Sequence, residues 1–364
     1  MKDTRKFVVS VVGARPNFIK VAPIHRAFMK ATNIRHGIVH TGQHYDKLLS
    51  DVFFKDLGMP EPEANLAVGS GTHAIQTAEA MAGFESYCLK AKPDLVIVVG
   101  DVNSTLACAL AAKKLQIPVA HIEAGLRSFD RTMPEEINRI ATDAISDLAY
   151  TSEEAAGANL QTEGWPSERI VFVGNTMIDS LMSALRNGDS GAMERMGLQA
   201  GNYAVMTLHR PANVNTPKRL KTIINLVSRN TDGLKIVFPV HPRTKQSLEK
   251  AGIGTIPSLK LCNPLGYADF VSLLSKTAFA ITDSGGIQEE STALDIPCIT
   301  LRPNTERPVT VELGSNTLVD PASHAFEELL TKAVTLRKRR KCLPPLWDGA
   351  AAPRIAESLD KHLS

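Results

Sequence analysis

The chain lacks any pair of cysteines spaced as CxxC, and its 364 residues hold only five cysteines in all. That odd, scattered set (Cys88, Cys108, Cys262, Cys298 and Cys342) argues against a disulfide framework and a structural zinc site, and fits the reduced thiols of a cytoplasmic protein. Also missing is any run approaching ~18 uninterrupted apolar residues, so no membrane-spanning helix is expected. The apolar stretch within MKDTRKFVVSVVGARPN is short and β-branched and has no small-residue cleavage site. It reads as a first core strand, not as a signal peptide. Charge of one sign is not in excess, since 41 Lys and Arg against 38 Asp and Glu leave a formal net charge of +3. A general nucleic-acid binder would have basic residues outweighing acidic ones and clustering. Internal repeats and low-complexity stretches are absent, as is the P-loop pattern GxxxxGK followed by Ser or Thr.

What is present is an ordinary mixture, 43% hydrophobic and 22% charged, able to bury substantial cores. At ~150 residues per domain the length favours two domains. Strands are predicted at Phe7–Val12, Ile34–His40, Asp94–Val99, Pro118–Ile122 and Ile170–Val173, with helices at Asn17–Lys30, Tyr45–Leu57, Thr72–Lys90 and from Ser104 to Leu115. The segment DLVIVV at 94–99 is nearly all β-branched or Leu, as in a strand buried on both faces. The pattern restarts at Tyr203–Leu208, Lys235–Val240, Leu259–Leu261, Phe279–Thr282 and Pro297–Leu301. Strands alternating with helices predict parallel sheets with right-handed crossovers, hence an α/β fold. The expected architecture is two doubly wound domains facing a cleft, 1–173 and 174–350, followed by a terminal helix in 351–364 that can return to either domain.

In open parallel sheets ligands bind beyond the carboxyl ends of strands, and five polar clusters follow predicted strands. GARPNFIK offers Gly13 for a turn, and Arg15 and Lys20 as cations near a helix start, suited to phosphate. It is not a GxGxxG fingerprint, and Pro16 equally reads as a plain helix starter. In VVGDVNST, Asp101 follows a buried strand and doubles as a candidate helix N-cap. HIEAGLRSFDRTMPEEINR crowds Glu123, Glu135, Glu136, Arg127 and Arg139 beside His121. Glu135 and Arg139 alone would read as a solvated i,i+4 pair, but the density favours a polar site. TLHRPAN places His209 and Arg210 at a strand end, a weak signal by itself. TDSGGIQEE is the most specific phosphate signal: Ser284, Gly285 and Gly286 permit close backbone approach, and a helix starting near Ile287 presents free amides. Glu289 and Glu290 in its first turn are dipole partners or acceptors for a ribose diol. These features point to an anionic, nucleotide-like ligand and to transfer or elimination at a sugar carbon bearing a diphosphate.

GARPNFIK, TGQHYD, GDVNST, HIEAGLRS, MPEEINR, GNTMID, DSGGIQEE and NTERP, in this order from about Val9 to Val319, resemble the non-hydrolysing UDP-N-acetylglucosamine 2-epimerases. The resemblance implies two Rossmann-like domains in the GT-B arrangement, a homodimer, a C-terminal helix packing back on the N-terminal domain, and no metal or redox cofactor. It implies the reaction UDP-GlcNAc ⇌ UDP-ManNAc, by anti elimination of UDP to 2-acetamidoglucal and re-addition, for polysaccharide precursor synthesis. On this basis Asp101, Glu123 and Glu135 match the catalytic carboxylates, His209 the histidine assisting at the diphosphate, and Lys20 and Arg139 the other essential cations. Arg15, Ser284, Gly285 and Gly286 match diphosphate-binding positions, Glu290 the ribose carboxylate, and Phe270 a position whose backbone holds uracil.

Three departures stand out: Asn17, Ala212 and Val309 occupy positions where many relatives carry Glu. They point to a subfamily whose sugar has altered substituents, such as a 2,3-diacetamido uronic acid. TGQHYD also differs from the form in epimerases activated by a second UDP-GlcNAc. Two rival readings remain: a GT-B glycosyltransferase, which shares the fold and over which the carboxylate cluster favours epimerisation, and a non-catalytic UDP-sugar sensor that binds without turnover.

Overall fold

A computed structural model describes residues 5–31, 33–42, 56–231, 233–240, 242–254, 256–335 and 339–364. The predicted helix at Tyr45–Leu57 and the last four residues of TGQHYD fall mostly or wholly outside them. The chain divides into two compact units, Met1–Ser183 with Pro345–Ser364, and Ala184–Pro344.

In the first unit the described strands are β1 (Lys6–Val12), β2 (Ile34–His40), β3 (Ala64–Asn65), β4 (Leu95–Val99), β5 (Val119–Ile122), β6 (Leu148–Thr151) and β7 (Ile170–Phe172). They form one parallel sheet in the order β3-β2-β1-β4-β5-β6-β7. Helices α1 (Arg15–Ala31), α2 (His73–Ala91), α3 (Asn103–Lys114) and α4 (Pro134–Ile145) make crossovers, and α5 (Thr176–Arg186) follows β7. All five β4 residues are buried, as DLVIVV predicted. Phe7, Val9 and Val11 pack with Phe84 and Cys88 of α2 and Cys108, Ala109 and Ala112 of α3 in one core.

The second unit repeats the scheme with β8 (Tyr203–Thr207), β9 (Lys235–Pro239), β10 (Leu259–Cys262), β11 (Ala280–Thr282), β12 (Cys298–Thr300) and β13 (Asn316–Leu318), in the order β10-β9-β8-β11-β12-β13. Helix α6 (Tyr267–Lys276) precedes β11 and α7 (Gly285–Ala293) follows it. Both sheets are doubly wound, so the fold class read from strand–helix alternation is the one observed. β6, β3 and β13 are strands that the sequence did not announce. They run four, two and three residues, and their ladders with neighbouring strands define them.

The domain limits need correcting at two places. The chain leaves the first unit after Ser183, not at Gly174, and returns at Pro345, not at Ala351. Gly174 has φ +89, and a Cβ there would lie 2.1 Å from the Leu346 carbonyl oxygen, so only glycine lets the two segments meet. The Trp347 indole donates to the Ser152 carbonyl at 2.9 Å, and Ser180 Oγ to that of Ile19 at 2.5 Å. GNTMID therefore belongs to the first unit. The last helix, α8 (Ala351–Leu363), buries Ala352, Ile355, Ala356 and Leu359 on one stripe and packs on α1.

Asp179 of α5 ties this return down by accepting the Ala351 and Ala352 amides at 3.0 and 2.7 Å. Burial outweighs these two hydrogen bonds and pushes the Asp179 carboxyl up to about 6. The folded state then holds a proton that the unfolded chain releases from about pH 4 upward. The stability from this group is full below the unfolded pKa and falls as pH rises to about 6. In urea titrations, the stability of wild type relative to Asp179→Asn should drop by roughly 2–3 kcal/mol between pH 4 and 7. A pH-independent difference would contradict the buried-carboxyl account.

Candidate functional site

Each sheet changes winding direction once, and the crevice at that point is where α/β sheets take ligands. In the first unit the change lies between β1 and β4, and in the second between β8 and β11. GARPNFIK and GDVNST follow the first pair of strands, and TLHRPAN and TDSGG follow the second.

Asp101 lies two residues past β4. Its carboxylate, 27% exposed, takes a hydrogen bond from Arg139 Nη1 at 2.5 Å, and its carbonyl takes one from Asn138 at 2.9 Å. It does not serve as the N-cap of α3, which has no side-chain cap. Arg139 is buried because Glu136, one turn back on α4, accepts from its Nε and Nη2 at 3.1 and 2.6 Å. Glu136 also accepts the Ser128 and Phe129 amides at 2.9 and 2.8 Å. Burial works to raise the Glu136 carboxyl, but the Ser128 amide and the Arg139 guanidinium outweigh it, and the group stays below the usual range. Glu135, beside it in the first helical turn, is half-buried.

Glu123 follows β5 with φ +66, a conformation costly for a residue with a side chain. Its carboxylate pairs with Lys20 of α1, and both residues are buried. The strained turn is pinned from behind. His121 faces Asp143 at 2.6 Å through Nδ1 and the Gly100 carbonyl at 2.8 Å through Nε2. Asp143 also accepts the Gly125 amide at 3.0 Å and pairs with Arg127 at 2.7 Å. Burial pushes the Asp143 carboxyl upward, and the neighbouring His121 and Arg127 more than reverse this.

Asn17 has an internal role. Its Oδ1 accepts the Gly13 and Ala14 amides at 3.2 and 2.9 Å, and its Nδ2 donates to the Val99 carbonyl at 2.9 Å. A carboxylate could not make that last bond. Arg15 stands exposed in the first turn of α1.

In the second unit, Ser284 precedes α7 and Gly285 opens it, two residues earlier than the predicted start. A Cβ on Gly285 would sit 2.6 Å from Arg307 Nη1, so a side chain there would have to displace a guanidinium that Glu289 and Glu306 hold. Glu289 and Glu290 lie one turn into α7, not in its first turn. Glu289 is buried against Arg307 at 2.6 Å, and Glu290 accepts from the Tyr267 hydroxyl at 3.0 Å. Phe270 is buried in the core, and its amide is used by Gly266 at 3.0 Å, so no Phe270 N–H remains for a base. His209, with a side chain 60% exposed, faces buried Asp283 at 2.9 Å through Nδ1. Ala212 is exposed and Val309 half-buried.

The N-terminal unit thus joins Lys20 to Glu123 and Arg139 to Asp101. The C-terminal unit gathers His209, Ser284, Gly285 and Gly286 around the ends of β8 and β11. Sequence reasoning passed over Asp143 and Asp283, although Asp283 stands inside TDSGG directly after a strand. Nothing in spacing pointed to Tyr267 or Arg307. Among the described residues no group of three or more His, Cys, Asp or Glu is placed to hold a metal ion.

A family model described as UDP-N-acetylglucosamine 2-epimerase matches residues 26–360. The UDP-N-acetylglucosamine 2-epimerase of Methanocaldococcus jannaschii is 43% identical over 361 residues, spanning 96% of this chain and 97% of that protein. The UDP-2,3-diacetamido-2,3-dideoxy-D-glucuronate 2-epimerase of Pseudomonas aeruginosa is 39% identical over 359 residues, spanning 97% of this chain and 99% of that one. A crystal structure of the M. jannaschii UDP-GlcNAc 2-epimerase in complex with UDP-GlcNAc and UDP aligns with TM-score 0.89 at 41% identity, covering 98% of this chain and 99% of that chain.

Removing one partner of a buried ion pair strands the other charge, at about 3–5 kcal/mol. Lys20→Met should therefore lower the unfolding free energy by that amount in urea, and adding Glu123→Gln should recover part of it. A double variant no more stable than Lys20→Met would show that the two charges do not depend on each other.

Proposed function

The chain belongs to the UDP-N-acetylglucosamine 2-epimerase family, and from that premise we propose that it interconverts UDP-N-acetylglucosamine and UDP-N-acetylmannosamine. The route is anti elimination of UDP to 2-acetamidoglucal, then re-addition of UDP with protonation on the opposite face. The C2–H of the sugar is a very weak acid. Departure of UDP from C1 builds positive charge beside it and makes its removal feasible. Such a route needs carboxylates to move the proton and donors to stabilise the leaving diphosphate.

The observation that carries this reading is the pair of cation-held acids at the N-terminal switch point, Asp101 with Arg139 and Glu123 with Lys20. Glu135, half-buried in the first turn of α4, is the third acid of the proposed set. In the C-terminal unit the α7 amides at Ser284, Gly285 and Gly286 suit a diphosphate, and His209 stands at the end of the adjacent strand. Arg15 serves the diphosphate, Glu290 the ribose diol, and the chain around Phe270 the uracil. The family resemblance supports a homodimer and a cytoplasmic role in making cell-surface polysaccharide precursors.

A second reading, epimerisation of a 2,3-diacetamido uronate, is favoured by the likeness to the P. aeruginosa enzyme at nearly the same identity. Ala212 and Val309, where many relatives carry Glu, fit a changed sugar. Asn17 supports that less, since its bonds are internal.

Incubation with UDP-GlcNAc in D2O, without acceptor, should place deuterium at C2 and yield UDP-ManNAc by proton NMR. Absence of both would overturn the reading for that substrate, and a parallel run with the diacetamido uronate separates the two sugars. Asp101→Asn and Glu123→Gln should each lower kcat by about 10²- to 10⁴-fold while UDP still binds. Glu290→Gln should mainly weaken UDP binding; unchanged affinity would remove the ribose assignment.

A further inference from the structure

We infer that Asp283 is a positioning residue for His209, fixing the imidazole with its hydrogen on Nδ1 and leaving Nε2 as the nitrogen available to a ligand. Strands β8 and β11 pair through Thr207 and Thr282, whose hydroxyls are 2.7 Å apart. One residue beyond Thr282, Asp283 is fully buried. Its carboxylate accepts the His209 amide at 3.0 and 3.2 Å, the Arg210 amide at 3.0 Å and Asn213 Nδ2 at 3.1 Å. His209 Nδ1 is the remaining contact, at 2.9 Å.

An ionised carboxylate only accepts hydrogen bonds, so the ring nitrogen facing it must carry the hydrogen. Asp283 is held ionised: burial raises its carboxyl, and His209, Asn213 and the Arg210 amide bring it back below the usual range. The Arg210 Nε, turned to the Asp283 carbonyl at 3.1 Å, adds a positive charge on the same loop. The His209 ring is largely exposed, so with no acceptor behind it the side chain would be free to rotate and exchange tautomers. The two amide bonds would hold the loop without the ring contact. A loop bracket and a ring-positioning group therefore make different predictions.

The role of His209 at the diphosphate rests on the proposed function; the tautomer does not. In protein labelled with 15N-histidine, the His209 signal is identified by its loss in His209→Gln. At alkaline pH wild type should show the Nδ1–H tautomer, and Asp283→Asn should shift His209 toward Nε2–H. Turnover of UDP-GlcNAc by Asp283→Asn should fall about 10- to 100-fold in kcat, with KM altered no more than about 3-fold. Wild type in the Nε2–H form overturns the inference, even if Asp283→Asn fails to fold. So does unchanged kcat in the variant, or a fall in kcat with the tautomer unmoved, which marks a loop bracket. If wild type shows the Nδ1–H form but no UDP-sugar is epimerised, the functional reading fails and the placement of the ring stands.

Discussion

Where a parallel sheet winds outward in both directions from its middle, two adjacent strands send their connections to opposite faces, and strand-end amides are left facing a crevice. This chain builds that geometry twice, at β1/β4 and at β8/β11. In the loops that follow β5 in the first unit and β8 in the second, backbone amides find no partner within the sheet, and buried carboxylates supply the acceptors. Asp143 takes the Gly125 amide, Glu136 those of Ser128 and Phe129, and Asp283 those of His209 and Arg210. Taking a carboxylate out of water is expensive, and it persists only where several donors converge. In each case burial works to raise the carboxyl, and the charged and amide donors around it win.

The sequence made the central strands and the doubly wound class legible, because strands buried on both faces leave continuous β-branched and Leu runs, as at 95–99. It did not reveal β3, β6 or β13, which exist through their neighbours' ladders. The polar clusters were legible for a related reason: ionisable residues beyond a buried strand stand out against apolar surroundings. Their division of labour was not. Glu289 and Glu290 are adjacent and alike in sequence, yet one neutralises Arg307 and the other meets Tyr267. Those partners come from 18 and 23 residues away. Asp283 read as part of a glycine-rich turn because its partners lie on another strand's loop, about 70 residues back.

Departures from a family pattern carry different weights once the local bonding is known. Asn17 holds the β1–α1 turn to the end of β4 with one donor and one acceptor, a task for which an amide suffices and a carboxylate does not. Its identity is explained without reference to any sugar. Ala212 is exposed and Val309 half-buried.

The two cation-held acids of the first unit are not equivalent. Asp101, partly open to solvent, faces a guanidinium that does not lose its proton in proteins, so its partner fixes charge and geometry only. Glu123 faces an ammonium, and both partners are buried. A reaction that removes hydrogen from one face of a carbon and returns it to the other needs two groups whose surroundings set them apart. Asp101 with Arg139 stands at the edge of solvent, and Glu123 with Lys20 stands away from it. The strained turn at Glu123, with His121 and Asp143 behind it, then has a physical purpose. It keeps that carboxylate against Lys20 and away from solvent.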